Sequence, residues 1–320
     1  MQSSERGWPQ TLAGTATRQV SVRNYAVLGS PISHSKSPLI HQAAYRVLGL
    51  DWQYGRHEVA KGALRSFIDG LDETWMGLSL TMPLKEEAVR FANSLDYYAR
   101  LTGAVNTLAK GVGESGESVW AGYNTDVFGI IQAVSWAKAF AGKNVANEVR
   151  QVLIIGSGAT ATSAVTAVKS LAPDATVWLH ARNHKTRANL HAYAEQLGLK
   201  TKICRNIRKQ ANTAELVIST LPGHALDEVG AKLYDSRRFK PAGALLDVAY
   251  QPWPSQIAKA WIRHDQPVIS GLEMLIWQAV VQLRIFVGGS TSEPLANEIA
   301  VVEAMRHDVE VAAAQEAARA

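Results

Sequence analysis

Apolar residues recur along this chain in two rhythms, one of short runs and one of helical spacing, and the rhythms alternate. Tyr25-Ala26-Val27-Leu28 is a continuous apolar run closed by Gly29, the pattern of a buried strand. A loop, Ser30 to Lys36, follows, and Ser37-Pro38 then opens a helix, because serine is a good N-cap and proline is pre-organised for a first turn. Ile40, Ala43, Ala44, Val47 and Leu48 share one face of that helix, and Gly49 stops it. Trp52 to Val59 alternates as a strand, Lys61 to Leu71 reads as a helix, and Trp75 to Leu80 reads as the next strand. Pro83 begins another helix towards Phe91. Such a rhythm predicts a parallel sheet with helices on both faces. Ala104 to Ala109 and Ser118 to Tyr123 are further strands, turning at Gly111 to Gly116.

A long helix starts near Asn124 and runs through Ile130, Val134 and Ala137. After a loop around Gly142, a strand at Val152 to Ile155 restarts the rhythm, with further strands near Val177, Val217, Leu245 and Val268. Two helices, about 272–288 and 292–318, close the chain, and no repeat of 20–50 residues is visible. The pattern predicts an α/β protein of two domains. A tail over 1–22 precedes an α/β domain, 23–126, to which the C-terminal helices, 273–320, return. A doubly wound, Rossmann-type domain occupies 127–272.

Composition adjusts this picture little. Hydrophobic residues make up 47% and charged residues 19%, the balance of an ordinary globular protein. A net charge of +5 spread along 320 residues argues against a nucleic-acid partner, though local basic clusters can attract phosphates and carboxylates. One cysteine, Cys204, excludes an internal disulfide and points to a reducing, cytoplasmic setting. No apolar run approaches the ~20 residues of a membrane span, and the first 22 residues lack the apolar stretch of a signal peptide. The nine histidines show no zinc-ligand spacing, so no metal is expected.

Gly156-Ser157-Gly158-Ala159-Thr160-Ala161 fits G-x-G-x-x-A. The pattern alone is weak, but here it follows an apolar strand and opens an apolar-faced helix, which is the context a dinucleotide turn needs. Gly156 permits the tight turn, Gly158 lets backbone approach the pyrophosphate, and Ala161 allows close packing of helix on strand. A site for NAD carries Asp or Glu at the end of the second strand. The second strand, Thr176 to His180, instead ends in Ala181-Arg182-Asn183, while the nearest acid, Asp174, stands before it. Arg182 suits a 2′-phosphate, with Asn183, Lys185 or Arg187 in support, so NADP is the expected cofactor. A solvated helix start is the plain alternative for these residues.

Three clusters outside that domain carry candidate chemistry. The hydroxyl-rich loop Ser30 to Pro38 meets a positive helix end, a suitable cradle for a carboxylate, although Ser37 also serves as an ordinary cap. In Ser79-Leu80-Thr81-Met82-Pro83-Leu84-Lys85, the lysine lies in a first helical turn, where a cation opposes the macrodipole. The third cluster joins Gly103 to Thr107 with Asn124-Thr125-Asp126, whose acid fits a plain first-turn role as well.

Taken with Asp247-Val248-Ala249-Tyr250 and Gly271 to Gln278, these motifs occur in the order found in shikimate dehydrogenases, and over residues 24–288 the chain resembles that family. The resemblance implies a fold of two domains with a deep cleft between them, and NADPH-dependent reduction of 3-dehydroshikimate to shikimate. It implies Lys85 and Asp126 as the catalytic pair, and Ser35 and Ser37 on the substrate carboxylate with Tyr250 close by. Thr81, Asn106 and Gln278 are expected on the ring hydroxyls. Gly156, Ser157, Gly158, Ala159, Arg182, Asn183, Thr220 and Gly271 are expected on NADP. The protein is expected to act on a small molecule as a monomer or homodimer, without nucleic acid or membrane. Two departures stand out. Ser79 replaces the commoner asparagine and has a shorter reach, and Ala181-Arg182-Asn183 replaces Asn-Arg-Thr. The alternatives are an NAD-dependent quinate/shikimate dehydrogenase, which the missing acid opposes, and a non-catalytic NADPH-binding relative, which the presence of Lys85 and Asp126 opposes.

Overall fold

A computed structural model describes residues 22–319; apart from Val22, the tail expected over 1–22 lies outside the described residues. The chain forms two compact units, one reaching to Thr125 and resuming at Ala279, the other Asp126–Gln278.

The first unit is built on six strands: β1 (Arg23–Gly29), β2 (Trp52–Glu58), β3 (Trp75–Leu80), β4 (Ser94–Leu95), β5 (Thr107–Val112) and β6 (Ser118–Tyr123). Their order across the sheet is β2-β1-β3-β5-β6-β4. β1 pairs in parallel with β2 and β3, as the helical crossovers dictate, but β5 runs antiparallel to both β3 and β6. The sheet is therefore mixed, not parallel throughout. The reason is local: β5 and β6 are joined by a short turn at 113–117, with Gly116 at φ 87°, and strands joined so closely can only be antiparallel. Leu28, Leu64, Leu78, Leu80, Leu84 and Leu108 fill the core beneath this sheet.

Several helices differ from expectation for equally local reasons. Gly62, at φ 86°, keeps the chain out of helix until Leu64, so that helix is Leu64–Asp69. The helix expected from Pro83 starts at Lys85, because residues 81–84 close a separate turn through the Leu84 amide and the Thr81 carbonyl. An unforeseen helix, Tyr97–Thr102, is capped by Asp96, whose carboxylate accepts the Ala99 amide at 2.6 Å. The last helix, Glu298–Arg319, begins at a bidentate pair: Arg284 Nε and Nη2 lie 2.8 and 2.6 Å from the Glu298 carboxylate.

The second unit holds β7 (Gln151–Ile155), β8 (Thr176–His180), β9 (Lys200–Ile203), β10 (Leu216–Ser219), β11 (Ala244–Asp247) and β12 (Val268–Ser270). These strands are parallel throughout, in the order β12-β11-β10-β7-β8-β9. Counted within the unit this is 6-5-4-1-2-3, the doubly wound Rossmann order, with its switch point between β7 and β10. Leu153, Val217, Phe239, Leu245 and Trp261 anchor the core on one face, with buried Cys204 beside them.

One described helix, Gly271–Gly288, is long and apolar enough to cross a membrane, with a mean hydropathy of 1.3, which corrects the expectation that no such run exists. Since 72% of it is buried inside the protein, it is a core helix.

Candidate functional site

The dinucleotide turn sits at the switch point of the second sheet, between the ends of β7 and β10. Gly156 adopts φ 124°, a conformation that side chains rarely allow, and a Cβ there would stand 2.1 Å from Thr220 Oγ1. Thr220 cannot simply swing aside, because its hydroxyl donates to the Ile155 carbonyl at 3.0 Å. Gly158 differs: a Cβ on it would meet nothing within 4 Å, so open space lies over the backbone where the helix Ala159–Leu171 begins. No side chain caps that helix, leaving its first amides for an anion.

Beside the turn is a cavity of about 730 Å³. It brings together four of the expected cofactor residues, Gly156, Ser157, Arg182 and Asn183, with His180 and Leu221. Asp227 and Glu228 also line it, and sequence reasoning did not single them out. Arg182 is exposed and has no hydrogen bond or ion pair among the described residues. Asn183 carries a different load, since its carbonyl oxygen accepts the amides of Lys185 and Thr186 and so caps the helix His184–Gln196. Ser157 Oγ lies 2.8 Å from Thr186 Oγ1, which ties the turn to that helix. Gly158, Ala159, Thr220 and Gly271 are not in the cavity wall. Gly271 has a packing reason of its own: a Cβ there would lie 2.1 Å from the Val248 carbonyl.

In the first unit the hydroxyl-rich loop is arranged differently from the expectation. Ser37 is the first helical residue, and Lys36 holds the N-cap position, where its side chain does not cap the helix. The hydroxyl that reaches back is that of Ser35, which accepts the Ser37 amide at 3.3 Å. Ser37 is therefore not the cap; it is buried within the first turn. Thr81 packs against Gly29, where a Cβ would meet its Cγ2 at 2.4 Å. Lys85 is half-buried at the start of the helix Lys85–Phe91, and its carbonyl receives the Val105 amide at 2.8 Å. Glu86 and Glu87 share that first turn and offset the unfavourable end of the dipole.

Asn106 is the most connected of the expected residues. Its backbone is held on both sides, the carbonyl accepting from Leu80 and the amide donating to Tyr123. Its side-chain oxygen accepts the Thr125 amide at 2.9 Å and the Thr107 hydroxyl at 2.8 Å. Thr107 in turn accepts from Gln282 Nε2 at 2.9 Å. Gln282 Oε1 accepts from Ser79 at 2.9 Å, and Ser79 accepts from Tyr54 at 2.6 Å. All six side chains are buried. The shorter Ser79 is thus satisfied entirely by protein partners. Gln282 and Tyr54 escaped the sequence reading, which held Thr107 only as part of the Gly103 to Thr107 cluster; the available signal was a glutamine at 282, one turn beyond Gln278 in a largely apolar helix. His41 stacks on Tyr54 with ring centroids 3.9 Å apart, and its Nδ1 donates to the Ser37 carbonyl at 2.9 Å. Burial pushes this imidazole down to about 4.

Three expected residues belong to the second unit. Asp126 is the first residue of the helix Asp126–Ser135 and is buried. Gln278 Nε2 donates to the Leu275 carbonyl at 2.8 Å, and Gly129 lies so close that a Cβ on it would stand 2.9 Å from the Gln278 Cβ. Tyr250 is half-buried, shortly after β11. The Asp247 carboxylate nearby accepts from Ser255 Oγ at 2.6 Å, and Ser255 caps the helix Gln256–Ile262; burial pushes the Asp247 carboxyl up from its usual range.

Comparison with known proteins places these features in a family. The profile described as "Shikimate dehydrogenase substrate binding domain" matches residues 27–108. The chain is 30% identical over 273 residues to a shikimate dehydrogenase (NADP(+)) of Methanothermobacter thermautotrophicus, covering 82% of this chain and 90% of that one. Among solved structures, the shikimate dehydrogenase of Mycobacterium tuberculosis is 34% identical with a TM-score of 0.73, over 89% of this chain and 99% of that one. The Thermus thermophilus shikimate 5-dehydrogenase, solved in complex with NADP(H) and shikimate, is 26% identical with a TM-score of 0.68, over 90% of this chain and 100% of that one. With an identity of this size over nine-tenths of a relative's length, the chain belongs to the shikimate dehydrogenase family.

Proposed function

We propose that this chain is an NADP-dependent shikimate dehydrogenase, which reversibly reduces 3-dehydroshikimate to shikimate in the shikimate pathway. The observation that carries the reading is a dinucleotide turn at the switch point with Arg182, and no acid, at the end of β8, in a chain of this family. The residues fit the cofactor. Gly158 leaves room for a pyrophosphate, the amides at Ala159 are uncapped, and Arg182 stands in the cavity wall for the 2′-phosphate.

When bound, NADPH supplies the hydride that the ketone carbon receives. Lys85, as an ammonium, polarises the carbonyl oxygen and donates the proton that the forming alkoxide requires. Asp126 acts with Lys85 as the second member of the catalytic pair. Ser35 and Ser37 bind the substrate carboxylate with Tyr250, while Thr81, Asn106 and Gln278 bond the ring hydroxyls. Ser35 retains its hydroxyl hydrogen for that purpose, because its bond to the Ser37 amide uses only a lone pair. The reading goes with a cytoplasmic enzyme, monomeric or homodimeric, that needs no metal. The test is oxidation of shikimate and of quinate, each with NADP and with NAD. Turnover of shikimate with NADP should dominate; preference for quinate with NAD, or no turnover with any pair, would refute the proposal.

A further inference from the structure

The buried chain from Tyr54 to Asn106 has a direction, and one backbone group sets it. The Thr125 amide can only donate, so the Asn106 atom 2.9 Å away must be the side-chain oxygen. The Thr107 hydroxyl, 2.8 Å from the same oxygen, must then donate to it. Its lone pairs are left to accept, so the Gln282 atom at 2.9 Å must be the NH2 group. The opposite end of that amide is therefore oxygen, Ser79 must donate to it, and Tyr54 must donate to Ser79. No hydroxyl in the series can rotate without breaking a bond inside the core, where an unmade bond is costly.

The consequence falls on Asn106. With its oxygen held by Thr125 and Thr107, its NH2 group is turned to the other side, where one N–H donates to Thr125 Oγ1 at 2.8 Å. We propose that Gln282 is a positioning residue for Asn106, acting through Thr107, and that the relay Tyr54-Ser79-Gln282-Thr107, together with the Thr125 amide, holds Asn106 as an N–H donor to a substrate hydroxyl. The inference rests on the reading that Asn106 bonds the ring hydroxyls. Substrate oxygen at that point is then selected as an acceptor, and a ligand offering only a donor there is rejected. Ser79 takes part as a link in the relay and makes no substrate contact of its own.

The test is a double-mutant cycle on the full-length enzyme, with KM for shikimate, turnover, NADPH affinity and melting temperature read for each variant. Gln282→Leu should raise KM for shikimate by about five- to tenfold, the scale of one lost hydrogen bond, with NADPH affinity unchanged. Thr107→Val, nearly isosteric, should reproduce that rise, while Thr107→Ser should restore the normal KM. In an Asn106→Ala background, Gln282→Leu should add nothing further, because its effect runs through that side chain. An equal additional loss in that background, or a normal KM in both Gln282→Leu and Thr107→Val, overturns the positioning role while leaving the substrate role of Asn106 intact. A normal KM in Asn106→Ala alone overturns the site assignment, and the positioning role falls with it. If Gln282→Leu does not fold, Thr107→Val and its serine counterpart decide the question.

Discussion

Arg182→Asp tests cofactor choice at a single side chain. Arg182 is exposed in the wall of the dinucleotide cavity and has no partner among the described residues, so replacing it breaks no internal bond. Asn183 continues to cap the following helix through its own carbonyl, which leaves the backbone at the end of β8 in place. What is lost is a charge-assisted contact to the 2′-phosphate, about 1.5–3 kcal/mol. Because 1.4 kcal/mol is tenfold, NADPH should bind roughly ten- to 150-fold more weakly. A carboxylate beside the phosphate adds repulsion, which moves the expectation to the upper end. The same carboxylate can accept the 2′-hydroxyl of NADH, so NADH binding should hold or improve. Arg187 does not replace the lost group at once, since its guanidinium already reaches the Ala181 carbonyl at 3.4 Å. Fluorescence titration with both cofactors, at low and high salt, measures all of this. Salt should weaken NADPH binding more in the natural protein than in the variant. Equal losses for NADPH and NADH at an unchanged melting temperature would refute the assignment of Arg182 to the phosphate.

Three further outcomes are expected. Lys85→Ala should lower turnover by about 10²–10⁴, as for loss of a general acid, with NADPH binding nearly unchanged. Asp126→Asn should also fall steeply, and the double variant should be little worse than Lys85→Ala alone; additive losses in steady-state kinetics would break the pairing. Ser35→Ala should raise KM for shikimate without altering NADP affinity, and a change confined to melting temperature would remove Ser35 from the carboxylate site. Finally, His41 is held at about 4 in the folded protein against 6.5 unfolded, so the unfolded chain binds more protons between those values. Stability should therefore be lost as pH falls from 6.5 towards 4, by up to about 3 kcal/mol relative to a His41→Phe variant. Denaturant melts of both proteins across that range check it, and parallel profiles would count against a buried neutral imidazole.

The Rossmann unit was legible because its signals are local. A glycine turn needs specific backbone at Gly156, and the apolar run of four residues before it, Val152 to Ile155, reads as a buried strand. Helix limits in the first unit were less legible, since a single positive φ at Gly62 or one turn closed at Thr81 moves a boundary by several residues without altering the apolar pattern. The parallel pairing read from the first three strands is present, but the antiparallel seat of β5 beside β3 was not legible, since period-2 alternation says that a residue is in a strand and nothing about which neighbour it meets.

From residue order alone follow the two α/β units, the dinucleotide turn, the absence of an acid after β8 and the family likeness, because each depends on residues within a few positions of one another. Tertiary structure alone decided that Ser37 is buried in the helix and Ser35 reaches its amide, that Asn183 is a cap, and that Gly271 is needed under the Val248 carbonyl. It alone joined Ser79 to Gln282, 203 residues apart, and Gln282 to Thr107, 175 residues apart. Hydrogen-bond direction is a property of the whole closed chain of donors and acceptors. No single residue type carries it, so it becomes readable only when folding brings the partners within bonding distance.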